Sequence, residues 1–163
     1  MTYVARIKDY AYEWVPPHAR FADLPPSTYT KETRTPRYVL SSKGGDDLDV
    51  LVYFVNLGEE TIARLVFGSS GFETAGDDVV TFSGVEKGYE NVEPGEAVLV
   101  DVINQMDDSD WMISHDFKIT TAKKGTIRIH AFRGKGHFGG MTLLWDTGEP
   151  APDCRLLDPE SSE

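Results

Sequence analysis

The sequence predicts an all-β fold, an antiparallel two-layer β-sandwich of about seven to eight strands with an N-terminal arm. Three observations carry that expectation. Short apolar runs recur along the chain between turn signals rich in Gly, Pro, Asp and Ser, the cadence of strands joined by turns. Within residues 126–132, Ile127, Ile129 and Ala131 share one face while Thr126, Arg128 and His130 share the other, a period of two that suits a half-buried strand. Residues 48–55 are apolar on both faces, which fits a strand in the middle of a sheet.

Taken in order, residues 3–15 alternate loosely and meet Pro16-Pro17, and the stretch up to Pro36 holds Pro25-Pro26 among Ser, Thr and charged residues. Residues 1–36 therefore read as an arm and a Pro-rich loop. The sandwich domain is expected over 37–146, with strands at 38–41, 48–55, 61–67, 79–82, 97–103, 112–120, 126–132 and 141–145. In 61–67 the spacing of Ile62, Leu65 and Val66 also fits a helical face, and Glu59-Glu60 suits a helix start; the strand reading is kept. Beyond Trp145 the chain turns polar and acidic, so 147–163 reads as a flexible acidic C-terminal tail.

With 163 residues, 40% hydrophobic and 26% charged, the composition is that of one globular domain. A formal charge of −11 argues against nucleic acid or an anionic membrane as partner, because both require a surplus of Lys and Arg. The N-terminus lacks the long apolar run of a secretory signal, and no window approaches about 18 uninterrupted apolar residues. A soluble, cytoplasmic protein is expected. Cys154 stands alone beside Pro152 and Asp153, which excludes an internal disulfide framework and reads as an incidental thiol.

Residues 133–140 carry the spacing G-x-G-x-x-G together with Arg133, Lys135 and His137. A dinucleotide site needs a helix after such a turn. Here 141–145 reads as a strand, so the segment is expected to be a β-hairpin connection whose amides and basic side chains are the best candidates for receiving a small anion.

Four histidines come next. Alternation puts His115 on the face of Phe117 and Ile119, a buried histidine, and His130 on the face opposite Ile127 and Ile129. No H-E-x-x-H or H-x-H spacing is present, so no metal site is assigned; His115, His130, Asp108 and Asp110 are its weak candidates. Across paired strands His130, His137 and Asp116 have a route to one another. The loops at 46–49, 77–78 and 107–110 offer carboxylates but complete no EF-hand pattern, and read as solvated turns. Tyr10, Tyr12 and Trp14 fall on one face of an extended arm, where they form a stacking platform if exposed and an edge contact if packed. Ser114 and His115 are neighbours on a strand and point to opposite faces, so they make no catalytic pair.

The segment Asn56-Leu57-Gly58-Glu59-Glu60-Thr61-Ile62, with Val92-Glu93-Pro94-Gly95-Glu96 before the next strand, resembles immunoglobulin-like and fibronectin-like modules. The resemblance is architectural, covers the middle of the chain, and comes without the Cys pair of the antibody kind. It implies a sandwich and no particular activity.

The expectation is a non-enzymatic β-sandwich, without a cofactor, that works by protein–protein interaction or self-association as an inhibitor, immunity-type or assembly protein. The alternatives are a small-anion or carbohydrate-binding module at Arg133, Lys135 and His137, and a metal-dependent cupin-like enzyme using His115, His130 and His137.

Overall fold

Alternation and cross-strand pairing organise the chain into eleven strands among the described residues, which in this computed structural model are 4–12, 14, 34–45, 48–68, 80–82, 86–104, 113–133 and 140–158. They are β1 (Arg6–Ile7), β2 (Pro36–Gly44), β3 (Asp49–Asn56), β4 (Ile62–Gly68), β5 (Val80–Phe82), β6 (Glu86–Val92), β7 (Ala97–Asn104), β8 (Ile113–Thr121), β9 (Gly125–Arg133), β10 (Met141–Trp145) and β11 (Cys154–Leu157). Five form one sheet in the order β1-β7-β3-β2-β10, and six form the other in the order β11-β9-β8-β4-β6-β5. All pairings are antiparallel. The all-β sandwich is as expected, while the strand number exceeds seven to eight because β1 and β6 carry too few apolar residues to announce themselves and β11 is a four-residue strand set among Pro and Asp.

The inner faces meet through large side chains. Phe54 of β3 lies 5.3 Å, ring to ring, from Phe117 of β8, and the Tyr89 hydroxyl of β6 donates to the Leu99 carbonyl of β7 at 2.6 Å. That bond satisfies a phenol deep in the core, where an unpaired hydroxyl is costly. His115 is buried, as its alternation with Phe117 and Ile119 predicts, and its Nδ1 sits 3.9 Å from Asp101 Oδ2 on the facing sheet.

Strand β4 explains the helix-like spacing of its apolar residues. A register shift against β8 falls between Ile62 and Arg64. The extra residue of a bulge reverses the parity of the alternation, so Ile62, Leu65 and Phe67 all reach the core despite their mixed spacing.

The arm closes on its own sheet. Strand β1 pairs with β7, Leu99 N donates to Ala5 O at 2.8 Å and Tyr10 N to Gly95 O at 2.9 Å. Asp9 adopts a positive φ of 53°, a conformation Asp tolerates better than most residues, and beyond it the arm crosses the outer face of the five-stranded sheet. There Tyr10 lies 6.0 Å from Tyr53 and Trp14 meets Trp145 edge-on at 5.8 Å. The three arm aromatics, Tyr10, Tyr12 and Trp14, are partly buried and packed against the core cluster, an edge contact in place of a row of fully exposed rings.

At the other end, part of the segment expected as a tail is a strand. Cys154–Leu157 pairs with β9 at the edge of the six-stranded sheet, and Cys154 and Ala151 are buried.

Candidate functional site

The two sheets differ in what lies outside them. The arm covers the five-stranded sheet, whose central strand β3 is buried from Val50 to Asn56. The outer face of the six-stranded sheet carries residues that alternate out of phase with the core, among them Arg64 on β4 opposite Glu90 on β6, Asp116 and Lys118 on β8, Arg128, His130 and Phe132 on β9, and Arg155 on β11. Their register makes one patch, since Asp116 stands opposite His130, Lys118 opposite Arg128, and Arg155 opposite His130. Basic side chains predominate there, in a chain whose net charge is −11.

At its centre, the Arg128 guanidinium holds Asp116 through a fork: Nε donates to Oδ1 at 3.0 Å and Nη2 to Oδ2 at 2.6 Å. A paired fork of this kind is the strong form of a charge-assisted hydrogen bond. Arg128 is only 7% exposed, so its stem is buried among its neighbours on the sheet surface. His130 Nδ1 lies 3.7 Å from Asp116 Oδ2, beyond hydrogen-bond length but close enough for attraction when the ring is charged. The imidazole meets the Phe132 ring edge-on at 4.5 Å, and the Arg155 guanidinium stands 5.5 Å from the same ring. Phe132 remains 37% exposed. The patch therefore combines an ordered charge pair, further cations and an accessible ring.

The residues singled out in the sequence separate. His130 and Asp116 do come together. His115 does not join them, because it faces the core from the opposite side of β8 and pairs in register with Ala131. Among the described residues no group of three or more His, Cys, Asp or Glu side chains is placed to hold a metal ion. Asp108, Asp110, Lys135 and His137 lie outside the described residues, as does the side chain of Arg133.

The glycine-rich segment is no hairpin connection. Strand β9 before it belongs to the six-stranded sheet and β10 after it to the five-stranded sheet, so the connection passes from one layer to the other. Its last glycine has a packing reason: a Cβ on Gly140 would stand 2.7 Å from the Leu40 carbonyl oxygen of β2. Sequence reasoning missed Arg64, Lys118, Phe132 and Arg155 as members of one surface. Each shows the parity of an outward residue on its own strand, but the register that joins four strands is not written in any one of them.

Cys154 is a buried free thiol, and burial, with the Asp153 charge adding to it, pushes its pKa up to about 12. It is inert by that criterion. No helix among the described residues is long and apolar enough to cross a membrane. Comparison with family models, with curated proteins and with solved structures finds no match.

Proposed function

We propose that the protein is a non-enzymatic binding module that works by protein–protein interaction through the outer face of its six-stranded sheet. The observation that carries this reading is the asymmetry of the two sheets: one outer face is covered by the chain's own arm, while the other carries Arg64, Lys118 and Arg155, with Arg155 beside the exposed Phe132 ring. A partner offering carboxylates to that face gains from complementarity and steering, and an exposed aromatic ring flanked by Arg is the residue combination that anchors interfaces. Asp116 is committed to Arg128 on both oxygens, which supports a recognition role over one as a general base.

The immunoglobulin-like or fibronectin-like character belongs to the same proposal. Its support is that the two quoted segments meet: Gly95 N donates to Asn56 O at 2.6 Å, and the buried Asn56 amide donates to Glu60 O and Val92 O, each at 3.0 Å. A cytoplasmic setting is supported by the single buried thiol, since secreted domains of modest size commonly rely on disulfides.

Size-exclusion chromatography with light scattering, and affinity capture by the wild type beside a K118E/R155E variant, test the reading. The wild type is expected either to self-associate or to retain a specific acidic protein, with the interaction lost in the variant. A monomer that retains nothing, or capture that the variant leaves unchanged, overturns it.

A further inference from the structure

A second site lies at one end of the sandwich, away from the basic face. The start of β2, the loop after β3, the β8–β9 turn and Asp146 enclose a cleft of about 410 Å³ lined by Arg37, Lys123, Lys124, Glu59, Glu60 and Asp146, among others. That volume is within the range of small-molecule sites.

Its walls are fixed by hydrogen bonds that do not involve a ligand. Leu57 N donates to Arg37 O at 2.8 Å, Asp146 N to Thr35 O at 2.8 Å, and Gly58 N to Asn56 Oδ1 at 3.0 Å. The buried Asn56 side chain thus holds the 57–60 loop at both ends. A Cβ on Gly58 would come to 3.1 Å from Arg37 Cγ, so the arginine stem lies close against this loop.

The charges lining the cleft are unequally engaged. Glu60 accepts the Lys123 amide at 2.8 Å, and Asp146 accepts the Thr35 hydroxyl at 2.9 Å. The Lys123 and Lys124 ammonium groups make no ion pair with a described residue. Arg37 donates one nitrogen to the Asp146 carbonyl, and a guanidinium has further donors to give. Partial desolvation first, then the charge of Arg37, lowers the Lys124 pKa, with Glu60 opposing and Lys123 reinforcing. A small multi-oxygen anion can accept from several of these donors at once.

We infer that this cleft binds a small phosphate-bearing ligand, with Lys123, Lys124 and Arg37 as its donors. The site is distinct from the basic sheet face, and neither depends on the other.

The test is an amide-resolved NMR titration of the full ¹⁵N-labelled chain with inorganic phosphate and, separately, pyrophosphate, each compared with sodium chloride at matched ionic strength. Saturable shifts are expected at residues 57–60 and 121–125, tighter with pyrophosphate. Both lysines are exposed, so K123Q/K124Q retains the fold, and it should weaken binding by at least about tenfold, the loss of a charge-assisted hydrogen bond or more. The control K8Q, on the arm, should bind as the wild type does. Absence of shifts in those two segments, shifts that chloride reproduces, or equal affinity in K123Q/K124Q overturns the inference.

Discussion

Arg6 Nη1 donates to Glu96 Oε1 at 2.9 Å, and this contact joins the N-terminal arm to both layers of the sandwich. Glu96 is 2% exposed and receives the Glu93 amide on the same oxygen. The guanidinium also donates to the carbonyls of Glu90 and Asn91 on β6 and stands 5.6 Å from the Tyr89 ring. One side chain on an edge strand of the five-stranded sheet thereby clasps a strand of the other. Removing Arg6 strands a buried carboxylate, which costs far more than the intact pair contributes. R6A should lower unfolding free energy by about 3 kcal/mol in urea melts, and R6A/E96L should recover part of that loss. A cost below about 1 kcal/mol would mean the arm is only surface decoration.

The arm's aromatic contacts make a second, separable prediction. Tyr10 packs its ring near Tyr53, shares a 2.7 Å hydrogen bond with Ser41 Oγ, and has the Lys43 ammonium 5.1 Å from its ring centre. Y10A should cost about 2–3 kcal/mol, mostly lost apolar and ring contact. Y10F should cost about 1 kcal/mol, the net worth of one hydrogen bond. Equal losses in the two variants would place the energy in the hydroxyl instead of the ring.

The Asp116–Arg128 pair should show strong coupling in a double-mutant cycle. Because the guanidinium is almost wholly buried, D116A is expected to destabilise by about 2–4 kcal/mol, while R128M/D116A returns toward wild-type stability. A coupling energy under about 0.5 kcal/mol, or one abolished by molar salt, would mark the pair as an ordinary surface contact.

How much of this was legible depends on how local each signal is. Strand β9 was readable because its alternation is unbroken over Ile127, Ile129 and Ala131, and the same parity correctly separated buried His115 from outward His130. Strand β6 hid because Tyr89 and Val92 are its only large apolar residues, among charged residues and a glycine. Strand β11 hid because two of its four residues face outward at an edge and Pro and Asp surround it. The contact between Asp116 and His130 followed from the β8–β9 register, which the Lys124-Gly125 turn hints at. The cleft with Arg37, Lys123 and Lys124 had no such hint, since its walls come from β2, the loop after β3 and the β8–β9 turn, brought together only by the stacking of the two sheets.

Alkaline pH should unfold the protein earlier than its composition suggests, and two buried groups set the sign. Burial, with Asp153 adding to it, raises Cys154 from 9.0 to about 12. Burial raises Tyr38 from 10.0 to about 12, with Arg37 opposing and Glu60 reinforcing. In each case the folded state keeps its proton to higher pH than the unfolded state, so above pH 9.0 for the thiol and 10.0 for the phenol the unfolded chain binds fewer protons. Stability then falls as pH rises, and these contributions are fully present below those unfolded values and gone above about 12. For Cys154 there is a structural reason beyond desolvation: its Sγ lies 3.6 Å from the Thr142 carbonyl, an acceptor that a thiol can face and a thiolate cannot. Urea midpoints should decline from about pH 9 upward, and C154S and Y38F should each flatten the decline, since neither replacement titrates there. The same shift predicts that thiol reagents label native Cys154 far more slowly than the urea-unfolded chain at pH 8. Labelling at equal rates, or identical pH profiles for wild type and both variants, would show that these groups are solvated in the native state.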